Sequence, residues 1–152
     1  MTDVTIYVHK ERNNAVIPEI AYGSTSACFD LTCVETVTIP AGESRVVENG
    51  LNVCIDECDN YWMQIQLRSS KGFKYELIPH YGTVDAGYTG PLGVKIYNVG
   101  KEDVTIKAGE RYAQVAVIPK PVYKIQKLND EEFKNFENRQ RRGSCGFGSS
   151  GK

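Results

Sequence analysis

Nine residues in the middle of the chain, Gly82-Thr83-Val84-Asp85-Ala86-Gly87-Tyr88-Thr89-Gly90, set a carboxylate and a tyrosine between glycines. A carboxylate at the mouth of a turn can take a proton from water as a general base. A tyrosine three positions on can lie flat against a sugar and leave no room for an extra hydroxyl. The plain alternative is a turn Asp beside a packing Tyr. A second group is Arg68-Ser69-Ser70-Lys71-Gly72, where a guanidinium and two hydroxyls leave a strand and can hold phosphate oxygens. One of those serines can equally cap a short helix. Gln114, a polar residue inside an apolar run, can orient water or a phosphate, or be a satisfied core amide. Asp30, between apolar neighbours in Ala27-Cys28-Phe29-Asp30-Leu31, fits a supporting role better than a reactive one.

The last chemical group is the tail, Arg142-Gly143-Ser144-Cys145-Gly146-Phe147-Gly148-Ser149-Ser150-Gly151. Four glycines and three serines form neither a core strand nor a stable helix. One cation, one flat ring and many free amides are the parts needed to close over a base that carries phosphates. The bland reading is a glycine-serine tail without structure. Gly146-Phe147-Gly148-Ser149-Ser150-Gly151 fits G-x-G-x-x-G, and with Lys152 it fits part of a P-loop. Both patterns need a strand before and a helix after, and neither is present.

The elements that must position these groups read as β-structure. Short runs rich in β-formers are Val4–Val8, Val34–Ile39, Arg45–Val47, Leu51–Ile55, Tyr61–Leu67, Thr83–Val84, Leu92–Tyr97, Val104–Ile106, Arg111–Ile118 and Tyr123–Leu128. Gly, Pro and Asn punctuate them, as in an antiparallel sandwich, barrel or jelly roll. Val84 and the run after Gly90 predict a hairpin with a pocket at its mouth. Helical signal is thin: Ser70–Glu76 suits one short turn, and Asn129–Arg139 suits either a charged helix, capped by Asn129 or Asp130 with Phe133 and Phe136 at i, i+3, or an extended linker leading to the tail.

The 152 residues suffice for one domain, and 41% hydrophobic with 24% charged residues is ordinary globular composition. A net charge of -1 gives no reason to expect nucleic-acid binding, whereas Arg139, Arg141 and Arg142 beside the glycines suit a small polyanion. No apolar run has membrane-spanning length and no signal or transit peptide is evident. With the odd count of five cysteines, this predicts reduced thiols and a cytoplasmic protein, or one of host cytoplasm or nucleus if the source is viral. Cys54 and Cys58 lack a second Cys/His pair at finger spacing, so free thiols are expected rather than zinc.

Five segments in order resemble the trimeric dUTPase family. Ala27–Leu31 is similar to its A-G-Y-D-L, Leu67-Arg68-Ser69-Ser70 to its P-R-S-G/S, and Gly82–Gly90 to its G-V-I-D-x-x-Y-x-G. Gly109–Gln114 is similar to G-D-R-I-A-Q, and Arg142–Gly151 to R-G-x-G-G-F-G-S-T/S-G. The resemblance runs from about residue 20 to 151. Departures are Cys28, Leu67, Ala86-Gly87 and Ser144-Cys145; none removes a group expected to do chemistry.

The resemblance implies an all-β, jelly-roll-like subunit over residues 1–128 and an arm and lid over residues 129–152 that closes on a neighbouring subunit of a homotrimer. It implies hydrolysis of dUTP to dUMP and pyrophosphate by water attack on the α-phosphorus. Asp85 would be the base, with Gln114 holding water. Arg68, Ser69 and Ser70 would hold phosphate. Tyr88 would exclude ribose. Backbone at Gly82, Thr83, Val84 and Leu92 to Val94, Gly93 included, would read uracil. Arg142, Phe147, Gly148 and Ser149 would close on the nucleotide, with Asp30 in support. Mg²⁺ would be held by substrate phosphates and water, with no direct protein ligand. The alternatives are a deaminase of dCTP with the same fold, and a regulatory binding protein that keeps the fold. The deaminase places a glutamate three residues before an asparagine; here those positions are Lys95 and Asn98.

Overall fold

A computed structural model describes residues 3–20 and 25–140. The chain divides after Pro121 into two units. The first holds eleven strands and one short helix, in order β1 (Tyr7–Lys10), β2 (Cys28–Thr32), β3 (Val37–Ile39), β4 (Ser44–Val47), β5 (Leu51–Cys54), β6 (Tyr61–Leu67), α1 (Ser69–Tyr75), β7 (Leu77–Pro79), β8 (Gly82–Val84), β9 (Val94–Asn98), β10 (Val104–Ile106) and β11 (Arg111–Pro119). The second holds α2 (Asp130–Asn138).

All pairings among named strands are antiparallel. They form a four-stranded sheet β2-β11-β6-β8, a three-stranded sheet β4-β9-β7, and the pairs β1-β5 and β10-β3. The alternation that builds them is plain in β9, where Val94, Ile96 and Asn98 are buried and Lys95 and Tyr97 are exposed. Side chains of a strand point to opposite faces in turn, so one face joins the core and the other meets solvent. The core is aliphatic, with Leu31, Ile39, Val47, Val53, Met63, Ile96, Ile106 and Val115 all fully enclosed.

One polar network crosses this core. Tyr112 is fully buried; its hydroxyl donates to the Val47 carbonyl at 2.8 Å and accepts from Asn49 Nδ2 at 3.3 Å. Burial pushes the Tyr112 phenol well above its ordinary range. Tyr112→Phe keeps the ring and strands the Val47 carbonyl. It is expected to cost about 1–3 kcal/mol, seen as a lower urea midpoint at unchanged slope.

Turn chemistry explains the boundaries. Pro40-Ala41-Gly42-Glu43 closes with Glu43 N–H on the Pro40 carbonyl, and Gly42 takes φ +77°. α1 stops at Glu76, which adopts the left-handed conformation at φ 52°. At α2, Asn129 rather than Asp130 is the cap: its side chain accepts from Glu132 N–H while Glu132 accepts from Asn129 N–H.

Three expectations need correction. β2 and β7 were not foreseen, because Asp30 breaks the apolar run of the first and Pro79 ends the second, an edge strand where a missing N–H is tolerated. Tyr123–Leu128 forms no strand among the described residues; Tyr123 is 72% and Ile125 94% exposed. β-formers alone do not make a strand without an edge to pair with. At the amino end the strand begins at Tyr7 rather than Val4, because its partner β5 ends at Cys54.

Candidate active site

β8 places the first group. Gly82, Thr83 and Val84 pair with Ile65, Gln64 and Met63 of β6, and buried Val84 anchors the strand end. Asp85 follows, exposed, at the first position of a tight turn: Tyr88 N–H donates to the Asp85 carbonyl at 3.2 Å, and Gly87 has φ +81°. A positive φ at the third position is the signature of a type II turn and suits glycine. Gly87 N–H donates to the Ile55 carbonyl at 2.9 Å, tying the turn to the end of β5.

Tyr88 then folds back over Gly90. Its hydroxyl donates to the Pro91 carbonyl at 3.1 Å, and a Cβ on Gly90 would stand 2.3 Å from that hydroxyl. The ring is 44% exposed, so a flat face remains available. Gly82 through Tyr88, with Ile65, Pro91, Leu92 and Gly93, line a cleft of about 570 Å³, within the range of small-molecule sites. Gly93 allows a close approach, since a Cβ there would lie 2.9 Å from Val46 Cγ1.

The expected hairpin is not formed. β8 pairs with β6 while β9 lies between β4 and β7, so Asp85–Gly93 crosses from one sheet to another. β9 is paired on both edges and has none free for β8, and the connection is fixed instead at the start of β5: Leu92 N–H donates to the Leu51 carbonyl, and Asn49 Nδ2 donates to the Leu92 carbonyl.

β2, β11 and β6 place the second group. Asp30, Gln114 and Gln66 stand opposite one another across the three strands. Asp30 accepts from Arg68 Nε and Arg111 Nη1, both at 3.1 Å, with its side chain 16% exposed. One carboxylate thus holds two guanidinium groups, leaving the terminal amino groups of Arg68 for an anion. A register shift between Arg111 and Ala113 lets β11 bury both Tyr112 and Ala113. Ser69 and Ser70 are exposed at the start of α1.

Lys71 and Glu110 fasten α1 to the turn before β11 at 2.8 Å. The Lys71 hydrogen bond holds the Glu110 carboxyl below its usual range. Its contribution to stability is therefore present at neutral pH and is lost as pH falls through the lowered folded-state value. Lys71→Met is expected to flatten the acid limb of stability, the two proteins converging once Glu110 is protonated. Urea midpoints followed from neutral pH down through the carboxylate range check this.

Within one chain the two groups line different clefts. Gly82, Thr83, Val84, Asp85, Tyr88 and Gly93 share the first, whereas Arg68 and Ser69 share another with Phe73, Leu77 and Tyr81. Arg142, Phe147, Gly148 and Ser149 lie outside the described residues. The sequence motifs contain Gly90 and Arg111 without giving either a role, and Asn49 and Asn52 lie outside them altogether. The Asn49-Gly50 pair signals a turn, but nothing local links it to Leu92, 43 positions away. Among the described residues no group of three or more His, Cys, Asp or Glu gathers as a metal site.

Comparison with known proteins agrees with this geometry. A family model described as dUTPase matches residues 13–151. Deoxyuridine 5'-triphosphate nucleotidohydrolase from Crocosphaera subtropica is 34% identical, with 96% of this chain and 98% of that protein aligned. The protein of that name from Wolinella succinogenes is 38% identical over 91% of this chain and 89% of its own length. Among solved structures, a Staphylococcus bacteriophage 80alpha dUTPase with dUpNHpp superposes with a TM-score of 0.83 at 28% identity, covering 97% of this chain and 99% of that one. A mutant dUTPase from phage phi11 of S. aureus, described with the coordination of a structural Mg(II) ion, gives 0.75 at 25% identity over 83% and 97%. A sheet-crossing turn that presents a carboxylate and a tyrosine, an arginine held on a strand-borne aspartate, and relatives alike along nearly their whole length place this chain in the dUTPase family.

Proposed function

We infer that this protein hydrolyses dUTP to dUMP and pyrophosphate, supplying dUMP and keeping uracil out of DNA. The observation that carries the reading is the turn that sets Asp85 and Tyr88 together at one cleft, with the tyrosine ring resting on a glycine. Asp85 takes a proton from a water. The water oxygen bonds to the α-phosphorus, and the bond from that phosphorus to the bridging oxygen breaks. Pyrophosphate leaves with the electron pair. Tyr88 lies under the deoxyribose, where a 2′-hydroxyl would collide with it. The backbone of Thr83, Val84 and Leu92 to Val94 reads the uracil edge.

Arg68, Ser69 and Ser70 hold phosphate oxygens, and Gln114 holds the water or a phosphate. Asp30 sets the angle of Arg68 through its Nε. Arg142 binds the outer phosphate, Phe147 stacks on the base, and Gly148 and Ser149 supply amides. The separation of Arg68 and Asp85 into two clefts of one chain supports sites shared between subunits of a homotrimer. In that assembly residues 1–128 form the body and 129–152 the arm that reaches a neighbour.

A triphosphate brings the hard oxygens that Mg²⁺ prefers, so the nucleotide itself would carry the ion into the cleft. Bound with the nucleotide, Mg²⁺ would supply positive charge against the triphosphate. No helix among the described residues is long and apolar enough to cross a membrane, and with free Cys28, Cys33, Cys54 and Cys58 a cytoplasmic setting fits.

The experiment is pyrophosphate release with Mg²⁺ from dUTP, dCTP, dTTP and UTP in parallel. Release from dUTP alone supports the reading. Ammonia from dCTP would favour the deaminase, against which Lys95 stands exposed on β9 where that enzyme needs an acid.

A further inference from the structure

We propose that Asn52, a β5 residue outside the cleft lining, is a positioning residue for sugar selection: it fixes the Thr89–Pro91 segment on which the Tyr88 ring rests. The inference rests on the role given to Tyr88 above. Asn52 is only 9% exposed and its amide is committed on every side. Nδ2 donates to the Thr89 carbonyl and to Glu11 Oε1, both at 3.1 Å, and Oδ1 meets His9 Nδ1 at 2.8 Å. Two acceptors fix the nitrogen side of the amide, so the oxygen faces His9, whose Nδ1 must carry a hydrogen. The Asn52 backbone also pairs with Pro91 in an isolated bridge. One residue therefore grips both sides of Gly90.

Gly90 is the floor of the Tyr88 ring, and Pro91 supplies the carbonyl that its hydroxyl bonds. A shift of Thr89–Pro91 moves the floor and the hydroxyl's acceptor together, so the ring follows. Asp85 is held separately, through Val84 of β8, which pairs with Met63 of β6, and through Gly87 on the Ile55 carbonyl. Loosening Asn52 therefore acts on sugar discrimination more than on water activation.

The test is kcat/KM for dUTP and for UTP, measured on the full chain for the wild type, Asn52→Ala, Tyr88→Phe and the double variant. Turnover of dUTP by the wild type checks the functional reading by itself; its failure would sink that reading rather than the role of Asn52. Asn52→Ala is expected to lower the dUTP-to-UTP ratio about fivefold or more, the scale of one lost hydrogen bond, mainly through KM for dUTP, with kcat nearly kept. The double variant should lose less than the product of the single effects, because both act through one ring. His9→Phe, at an exposed position on β1, removes only the outer link and is expected to lower the ratio about threefold. It serves where Asn52→Ala does not fold. A folded Asn52→Ala that melts earlier but keeps the wild-type ratio overturns the proposal, as does a His9→Phe ratio equal to wild type.

Discussion

Asp85→Asn is expected to fold, to bind the nucleotide, and to turn dUTP over about 10³-fold more slowly. The substitution keeps shape and removes only the capacity to take a proton. Its cost to the fold is small for a visible reason. The Asp85 carboxylate is exposed and enters no hydrogen bond or ion pair among the described residues; the turn is closed by its backbone carbonyl and by Gly87. Changes at such surface positions usually stay within about 0.5 kcal/mol. Titration calorimetry with dUpNHpp and single-turnover kinetics separate the two effects. Binding kept with chemistry lost is the outcome for a base. Turnover within tenfold of wild type would require another group to activate the water.

Gly90→Ala should produce the second large effect while leaving the fold nearly untouched. The backbone of Gly90 is not in the left-handed region, so alanine meets no conformational penalty there. What its Cβ meets is the far end of Tyr88, with the hydroxyl at 2.3 Å and Cζ at 2.6 Å. No real Cβ sits so close, and the ring must swing out, giving up the Pro91 carbonyl. Selectivity for dUTP over UTP should then fall about ten- to a hundredfold, with thermal stability shifted by less than about 1 kcal/mol. Gly82→Ala is the comparison: it lines the same cleft on the side expected to read uracil, its Cβ would meet nothing within 4 Å, and because dUTP and UTP share uracil any loss there should fall on both alike. Equal losses of selectivity in the two variants would mean that the ring's seat on Gly90 is not what excludes ribose.

What the sequence reveals by itself follows from which contacts are local. The Asp85–Tyr88 turn was readable because its parts lie within four residues: a carboxylate, a glycine at the position that needs positive φ, and an aromatic. The cap of α2 was readable for the same reason, with Asn129 and Glu132 three apart. β2 was missed because Asp30 looks like an interruption until Arg68 and Arg111 arrive from other strands to pair with it. The hairpin was misread because two neighbouring strands with a short link favour pairing by local rules, while β6 on one side and β4 and β7 on the other had prior claims. Asn49 and Asn52 gave no sign of their reach, since their partners Leu92 and Thr89 are some forty positions away. The five ordered segments supplied what local rules did not, because a family pattern carries long-range contacts implicitly.

The most direct test of the account is hydrolysis of dUTP in ¹⁸O-labelled water with Mg²⁺, reading both products by mass spectrometry. One ¹⁸O atom is expected in dUMP and none in pyrophosphate if water held by Asp85 attacks the α-phosphorus. Label in pyrophosphate, or release of inorganic phosphate in place of pyrophosphate, would contradict it.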